Sequence, residues 1–396
     1  MEPKQLFVSH FHEDDAYVDV LTRALRAHGI VPWVDHDRGL AVSDLTESEI
    51  QRAIRDECQG LLFFASGPQA FTRPVIRKTE IYEGRKRRDA DPHFLLFAVP
   101  RGITFERMQQ LSQTHFGYDL AQFNTMGIAP RGRQDAEYMR VANGILGGMV
   151  KRIAGTAPAT LALRLSTTAF TPTPTPSLLH IDARKEMAAD AVTPDHWRYL
   201  LQALQHVKGT LADAMPARRL ALLGNYYLGA GFLFGRVFTM YEMDIEQTTD
   251  GVTASWRTDV PARQSPLIMT ERSGDAGTRT AFIEISFIRD RVSGQLDRQL
   301  TAGRPQARPL RLQFQPAGEQ RITLDAGACR AIVAQVYEAV CARQARIDEI
   351  HLFAAMPQAF MVMLGKCFRA LPPVTVYEFV NNQSYQPCLQ IPGGHL

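Results

Sequence analysis

Glu80 is the residue of this sequence whose type and place best fit acid-dependent chemistry. It follows the apolar run Leu61 to Ala65, which predicts a buried strand that stops at Ser66-Gly67-Pro68. A helix is predicted from Val75 to Tyr82, with Pro74 in its first turn. A carboxylate on this helix would lie beside the carboxyl end of a sheet, where α/β proteins place their pockets. The alternative interpretation is a surface glutamate paired with a neighbouring cation.

Alternating strand and helix signals surround Glu80 and predict the scaffold that positions it. Four strands and two further helices are expected, at Leu6–Ser9, Ile30–Val34, Leu61–Ala65 and Phe94–Val99, and at Ala16–His28 and Thr46–Arg55. Such alternation favours a parallel sheet covered on both faces. The polar loop from Asp35 to Leu45 is longer than most strand-to-helix connections, which predicts a functional or interaction loop.

Composition excludes several classes of protein. The 396 residues are 45% hydrophobic, which excludes a mainly disordered chain, and 44 basic against 41 acidic residues give a net charge of only +3. No overall field therefore demands DNA or an acidic membrane as a partner. Five cysteines without a CxxC pair fit reduced thiols and no zinc site. With no signal peptide and no run of about 18 apolar residues, we expect a soluble cytoplasmic protein.

A Thr- and Pro-rich segment, residues 155–176, predicts an extended linker between two functional parts. Beyond it, the glycine-interrupted stretch from Arg219 to Gly235 allows close approach of the backbone to a ligand or, more commonly, to another helix. The predicted strands and helices of the last hundred residues are Arg321–Leu324, Ala326–Arg346, Ile350–Ala355, Gln358–Ala370 and Val374–Phe379.

The motifs LFVSHFHEDD, IVPWVDHDRGL and GLLFFAS, followed by the glutamate helix, resemble a bacterial Toll/interleukin-1 receptor (TIR) domain over about Leu6 to Arg152. The resemblance implies a flavodoxin-like domain at residues 1–154 that cleaves the nicotinamide–ribose bond of NAD+. By motif position the catalytic glutamate is Glu80, with Glu83 as the competing assignment. The loop sequence Val42-Ser43-Asp44 departs from the family, which often has a glycine there. The pocket residues that the resemblance implies are Ser9, His10, Phe11, Trp33, Asp35 and Ser66.

A single carboxylate fits this chemistry. Breaking the bond passes through an oxocarbenium-like state that a nearby carboxylate stabilises, and nicotinamide leaves as a neutral group. Phe11 and Trp33 offer surfaces for ring stacking, although core packing is the more frequent role of such residues. NAD+ is then a substrate, and no cofactor or metal is expected. The absence of GxGxxG and Walker motifs disfavours dehydrogenases and phosphate-loop ATPases.

The stretches HLFAAMPQAFMVMLGKCF and VTVYEFVNNQSYQPCLQI resemble the second half of a SAVED domain. The resemblance implies that residues 177–396 form two fused CARF-like Rossmann subdomains. These would bind a cyclic oligonucleotide, with a cyclic trinucleotide as the expected activator, in CBASS anti-phage defence. A helix start suits a phosphate, Gln358 suits a base edge, and aromatic rings suit stacking. The candidate ligand-binding residues are Arg184, Lys185, Gly229, Gly231, Phe232, Arg257, Met356, Pro357, Gln358, Phe379 and Tyr385.

Together these interpretations predict a ligand-activated NADase that works through oligomers or filaments. TIR enzymes resemble one another in needing neighbouring copies. A head-to-tail contact between copies that does not close into a ring gives an open filament. The alternative is a non-enzymatic TIR scaffold that signals by homotypic assembly after nucleotide binding.

Overall fold

The strand and helix alternation at the start of the chain forms a five-stranded parallel sheet. The computed structural model describes residues 5–34, 47–131, 134–168, 176–187, 193–216, 219–249, 252–303, 308–318, 322, 324–380 and 384–394. The strands of the first sheet are β1 (Gln5–Ser9), β2 (Val31–Trp33), β3 (Cys58–Ala65), β4 (Leu95–Pro100) and β5 (Asn124–Thr125). They pair in parallel in the order β2-β1-β3-β4-β5. The carboxyl ends of all five strands therefore meet at one edge.

Six helices connect or follow these strands. They are α1 (Asp15–Ala27), α2 (Glu47–Arg52), α3 (Gln69–Thr72), α4 (Ile81–Ala90), α5 (Phe105–Phe116) and α6 (Gln134–Ile153). The predicted apolar stripe of α1, Val18, Leu21 and Leu25, is fully buried. The chain leaves α1 through Gly29, whose φ of 82° is accessible mainly to glycine.

The described chain divides into two units. Unit 1 comprises Met1–Arg164, Thr175–Ala183 and Ala203–Ala217, and unit 2 comprises Leu165–Pro174, Arg184–Gln202 and Arg218–Leu396. Neighbouring strands β6 (Thr160–Ser166) and β7 (Leu179–Asp182) follow α6. The prediction of an extended linker over 155–176 is therefore wrong for β6. The alternating Leu161, Leu163 and Leu165 are fully buried, a period-2 signal that the flanking Thr and Pro residues obscured.

Unit 2 begins its strand and helix pattern with a βαβ arrangement. After α7 (Arg184–Met187) and α8 (Pro194–Ala214) come β8 (Arg219–Leu223), α9 (Leu228–Val237), β9 (Met243–Thr249) and β10 (Val252–Arg257). Strands β8 and β9 are parallel, and β10 returns antiparallel to β9.

A six-stranded sheet forms the rest of unit 2. Its elements are β11 (Leu267–Arg272), β12 (Thr280–Ser286), α10 (Arg291–Gly303), β13 (Leu310–Pro316), α11 (Ala326–Cys341), β14 (Glu349–Ala355), α12 (Gln358–Cys367), β15 (Val374–Val380) and β16 (Ser384–Ile391). The order is β11-β13-β12-β14-β15-β16. The four central strands are parallel, whereas β11 and β16 are antiparallel edges.

Several predicted elements differ from the structure. The strand expected at Arg321–Leu324 is wrong at its described positions, 322 and 324, which precede the Asp325 N-cap of α11. Helices α11 and α12 end earlier than predicted, at Cys341 and Cys367. Strands β11, β13 and β16 and helix α10 were not predicted, because polar residues interrupt their apolar patterns. None of the described helices is long and apolar enough to cross a bilayer.

Candidate functional site

Glu80 lies at the carboxyl edge of the parallel sheet. A turn of π-helix, Ile76–Glu80, leads directly into α4 and carries the side chain, and the helix starts at Pro74 as predicted. Ser9, the last residue of β1, donates its hydroxyl to Glu80 Oε2 at 2.5 Å. Ser9 is 1% exposed and Glu80 9% exposed. The structure thus brings together two predicted site residues that are 71 positions apart.

Glu83 forms an ion pair with Arg55. Arg55 donates from Nε and Nη2 to the two carboxylate oxygens of Glu83, at 2.8 and 2.6 Å. These hydrogen bonds hold the pKa of Glu83 below its usual value. A bidentate pair with arginine fixes a carboxylate and keeps it ionised. Glu83 is therefore paired with a cation, whereas the Ser9 hydroxyl contacts Glu80.

The predicted residues His10 and Ser66 hold neighbouring loops at the same sheet edge. Nε2 of His10 lies 2.9 Å from Asp15 Oδ1, at the start of α1. Ser66 donates its hydroxyl and, at 3.3 Å, its backbone N–H to the buried carboxylate of Asp14. Asp14 was not predicted as a site residue, although it follows β1 in the acidic motif HEDD.

The two aromatic residues predicted to stack on NAD+ are packed in the core of unit 1. Trp33 is 3% exposed and stacks on Phe7 with ring centroids 4.8 Å apart. Phe11 is 5% exposed, and the guanidinium of Arg73 covers its ring at 4.1 Å. Their role as stacking surfaces stays a prediction that requires these side chains to move. Asp35 and the loop to Leu45 lie outside the described residues.

Unit 2 contains the same arrangement twice. In both copies a strand leads through a short turn into a ten-residue helix, a parallel strand and an antiparallel strand: β8-α9-β9-β10 and β14-α12-β15-β16. The N-cap residues Tyr227 and Pro357 have nearly identical backbone angles, and a phenylalanine follows each helix. Residue 228 therefore corresponds to residue 358, and the offset of 130 holds along the helix.

Helices α9 and α12 pack against each other through equivalent glycines. A Cβ atom at Gly235 would overlap the backbone oxygen of Val362, and one at Gly365 would overlap that of Phe232. These contacts are related by the internal repeat, since 235 corresponds to 365 and 232 to 362. Close packing of the two helices therefore explains why position 235 is a glycine. This agrees with the more common of the two roles predicted for the stretch from Arg219 to Gly235.

Each repeat supplies a polar side chain to the helix start of the other. Glu378, the fifth residue of β15, accepts a 2.6 Å hydrogen bond from Gly229 N in α9. Gln247, the fifth residue of β9, accepts a 3.2 Å bond from the corresponding Ala359 N in α12. Neither residue was predicted, because only the crossed packing of the repeats brings them to these positions.

Gln358 joins the two helix starts. Its Nε2 group donates to Asn225 Oδ1 at 2.6 Å and to the backbone oxygen of Tyr226, both in the turn that precedes α9. The predicted candidates Gly229–Phe232 and Met356–Gln358 are therefore brought together. The buried Tyr226 hydroxyl and the Nε1–H of Trp197, whose ring packs on Gly229, have no hydrogen-bond partner among the described protein groups. Buried polar groups without partners are rare and often mark the place of a ligand or water.

Electrostatics distinguish the two repeats. Burial raises the pKa of Glu378 to about 7, against the lowering effect of the N–H groups of Gly229 and Leu228. Gln247, at the equivalent place, is neutral. The helix start of α9 therefore faces a group that titrates near neutral pH, and that of α12 does not.

Several predicted ligand contacts require correction. Phe232 is fully buried against Phe368, because it faces α12 rather than a cavity. Gly231 is covered by the Tyr226 ring, and Met356 is 6% exposed. Arg257 is paired with Asp259 at 2.8 Å and lies in an ion network with Asp244 and Arg219.

Tyr385 and Phe379 form an aromatic cluster away from the helix starts. Their ring centroids are 5.1 Å apart, and Tyr385 is 3% exposed in a core with Val292, Leu296 and Phe353. The side chain of Gln299 in α10 accepts a hydrogen bond from the backbone N–H of Tyr385 and donates one to its backbone oxygen. Stacking of Tyr385 on a base requires this core to open, and that role stays a prediction. Arg184 and Lys185 lie in α7, where Lys185 is exposed.

The fold and the repeated site define an α/β protein with parallel-rich sheets and an internally duplicated C-terminal half. Residues 203–391 match the family model described as SAVED, the SMODS-associated and fused to various effectors sensor domain. This part of the chain is a SAVED domain. No curated protein matches the chain.

The solved structures that match this chain include Cap4 receptors. The Acinetobacter baumannii Cap4 SAVED/CARF-domain containing receptor with the cyclic trinucleotide 3'3'3'-cAAA is 12% identical, with 83% of this chain and 87% of that chain covered and a TM-score of 0.49. The same receptor with 2'3'3'-cAAA gives 13% identity, the same coverage and a TM-score of 0.48. The Moraxella osloensis Cap4 receptor is 14% identical over 96% of this chain and 98% of that chain, with a TM-score of 0.45.

Proposed function

We propose that this chain is a ligand-activated NADase. Residues 1–154 act as a TIR domain that hydrolyses NAD+ to nicotinamide and an ADP-ribose product. The SAVED domain binds a cyclic oligonucleotide, and this binding activates the TIR domain. The resulting loss of cellular NAD+ would serve anti-phage defence of the CBASS kind. The domain limits 1–154 and 177–396 belong to the proposal.

The contact between Ser9 and Glu80 is the observation that carries the enzymatic part. The parallel order 2-1-3-4-5 is that of flavodoxin-like sheets, which hold ligands outside the carboxyl ends of their strands. Glu80 lies at that edge on the helical turn after β3, as the TIR resemblance requires, and the Ser9 hydroxyl fixes its carboxylate at 2.5 Å. A π-helical turn is also frequent at functional sites.

The chemistry needs little more than a positioned carboxylate. The nicotinamide–ribose bond breaks with its electron pair going to the cationic nicotinamide ring, which leaves neutral. The ribose becomes an oxocarbenium-like centre that Glu80 stabilises, and water adds to this centre and releases a proton. A preorganised carboxylate in a largely water-excluded site is more effective than one in bulk water.

The repeated helix starts of α9 and α12 support the sensor part of the proposal. They place two sets of backbone N–H groups, Gln358 and the unpaired donors of Tyr226 and Trp197 in one region of unit 2. Helix starts and amide side chains are the groups that bind phosphates and base edges. A ligand phosphate at these positions replaces the present bonds to Glu378 and Gln247. Arg184 and Lys185 of α7 are the remaining cationic candidates.

Activation proceeds through self-association in this proposal. The ligand must bind the assembled form more tightly than the monomer. A ligand with equal affinity for both forms does not shift the equilibrium between them. Assembly would also explain how a pocket forms around Glu80 while Phe11 and Trp33 are buried in the single chain.

The burial of Phe11 and Trp33 also favours a second candidate function, a non-enzymatic TIR scaffold. In that case nucleotide binding promotes homotypic assembly without NAD+ cleavage.

Replacement of Glu80 separates the two candidates. We expect Glu80→Gln to lower ligand-activated nicotinamide release by at least about a hundredfold, because the transition state loses its charged partner. Glu83→Gln is the matched control, since it lies one turn away and removes the charge of an arginine-paired carboxylate. Chromatography of nicotinamide gives the rates, and calorimetry checks that both variants keep ligand affinity. Equal activity of Glu80→Gln and the wild type contradicts the assignment, and no activity in any form supports the scaffold.

A further inference from the structure

A second cavity in unit 2 has no part in the proposed sensor site. It has a volume of about 410 Å³ and is lined by α11, by the end of α12 and by the residues that follow α12. Val333, Ala334, Tyr337 and Met363 supply most of its apolar wall. A volume of this size suits a small organic molecule.

Three cations surround this apolar wall: Arg330, Lys366 and Arg369. Glu338 is the one acidic residue among the described lining residues, so three positive charges against one negative give this lining a formal charge of +2. Cationic charge that is not matched by carboxylates attracts anions into a cavity with low-dielectric walls.

The partners of these cations are neutral. Lys366 donates to the backbone oxygens of Thr239, at 2.8 Å, and of Tyr241. Arg369 donates to Thr239 O at 3.0 Å, and Arg330 donates to Val260 O. Within the described ranges, none of the three cations has a carboxylate within ion-pair distance. Burial, and then repulsion from Arg369, lower the pKa of Lys366.

Several other cations of unit 2 have carboxylate partners. Arginines elsewhere in the unit pair with carboxylates, as seen at Arg219, Arg257, Arg279, Arg311 and Arg343. Arg236 and Arg298 also donate to backbone oxygens, but only at this cavity do three such cations line one apolar wall among the described cavities.

The cavity is separate from the region proposed for the cyclic oligonucleotide. That region lies at the start of α12, around Gln358, whereas Lys366 is eight residues further on. At a rise of about 1.5 Å per residue, the two sites are about 12 Å apart along the helix axis.

We propose that this cavity is a second ligand site of the SAVED domain, for a small organic anion with an apolar body. The negative group binds Arg330, Lys366 and Arg369. The aromatic or aliphatic body packs on Val333, Ala334 and Met363. An alkyl carboxylate and a nucleoside monophosphate share this chemistry.

The test uses the full chain and 8-anilino-1-naphthalenesulfonate, an aromatic anion whose fluorescence rises in apolar sites. We expect saturable binding of one dye per chain. Arg369→Gln removes one exposed cation and should weaken binding about tenfold. Ala334→Trp fills the cavity from an exposed position and should abolish binding. Arg298→Gln is the matched control, because Arg298 is an exposed cation of α10 that does not line the cavity.

Competition identifies the source of the ligand. Displacement of the dye by decanoate indicates an alkyl carboxylate, and displacement by adenosine monophosphate indicates a nucleotide. The proposal is overturned if the wild type, Arg369→Gln and Ala334→Trp bind the dye equally, or if Arg298→Gln weakens binding as much as Arg369→Gln. Circular dichroism checks folding, and Arg369→Gln decides the result if Ala334→Trp does not fold.

Discussion

Glu80 and Glu83 illustrate what single residues of this sequence do and do not reveal. Glu80 could be predicted from its place after an apolar strand, because the carboxyl edge of a parallel sheet is a common ligand position on general grounds. The pairing of Glu83 with Arg55 could not be predicted, because Arg55 lies 28 residues from Glu83 in the sequence. The partner Ser9 was predicted as a pocket residue, but its hydrogen bond to Glu80 exists only in the folded chain.

Glu378 provides a prediction for pH dependence. Its folded pKa of about 7 is above the usual 4.5, so the folded chain binds a proton more tightly than the unfolded chain does. Its contribution to stability is therefore complete below pH 4.5 and is lost as the pH rises through about 7. The N–H groups of Gly229 and Leu228 donate to this carboxylate, and its charge acts on Cys388 and Tyr385.

We expect Glu378→Gln to melt at the same temperature as the wild type at pH 4 and at a higher temperature at pH 8. The shift corresponds to about 3 kcal/mol at most. Gln247→Glu places the same carboxylate at the equivalent helix start and should lower the melting temperature at pH 8. Thermal unfolding at the two pH values measures both effects. A Glu378→Gln variant that is less stable than the wild type at pH 8 would show that the helix N–H bonds outweigh burial.

At the scale of elements, apolar runs and glycines were better predictors of helices and strands than the sequences of the more polar strands were. The run that became β3 and the stripe of α1 were recognised because buried residues repeat with the period of their element. Strand β6 was missed inside a Thr- and Pro-rich segment. Strand β16 contains Pro387 and has an irregular register opposite Tyr377, so its pattern is broken. The resemblance to SAVED domains implies two fused subdomains, but the correspondence of β8-α9-β9-β10 to β14-α12-β15-β16 rests on geometry.

The packing of α9 on α12 gives a prediction at this scale. Gly235→Ala should lower the free energy of unfolding by about 1–3 kcal/mol, because the new methyl group overlaps the backbone of Val362. Gly294→Ala in α10 is the control: no atom lies within 4 Å of the place its methyl group would occupy, and alanine favours a helix over glycine by about 1 kcal/mol. Denaturant unfolding followed by circular dichroism compares the two. Equal stability of both variants would show that α9 and α12 can separate without cost.

At the scale of the whole molecule, the sequence predicted two functional parts but placed their boundary imperfectly. The match of residues 203–391 to the SAVED sensor family confirms that the second part contains a sensor domain. The segment between the parts contains the buried strand β6, and residues from both sides of it belong to unit 1. Sequence composition could not show this, because the tertiary contacts that bury a strand are not visible in local patterns.

The central claim is that a cyclic oligonucleotide activates NAD+ cleavage through assembly of this chain. The most direct test measures nicotinamide release by the full chain at several protein concentrations, with and without a saturating cyclic trinucleotide. We expect release only with the nucleotide, and a rate per chain that increases with protein concentration. Release at the same rate without the nucleotide, or a rate per chain that is independent of concentration, would contradict it.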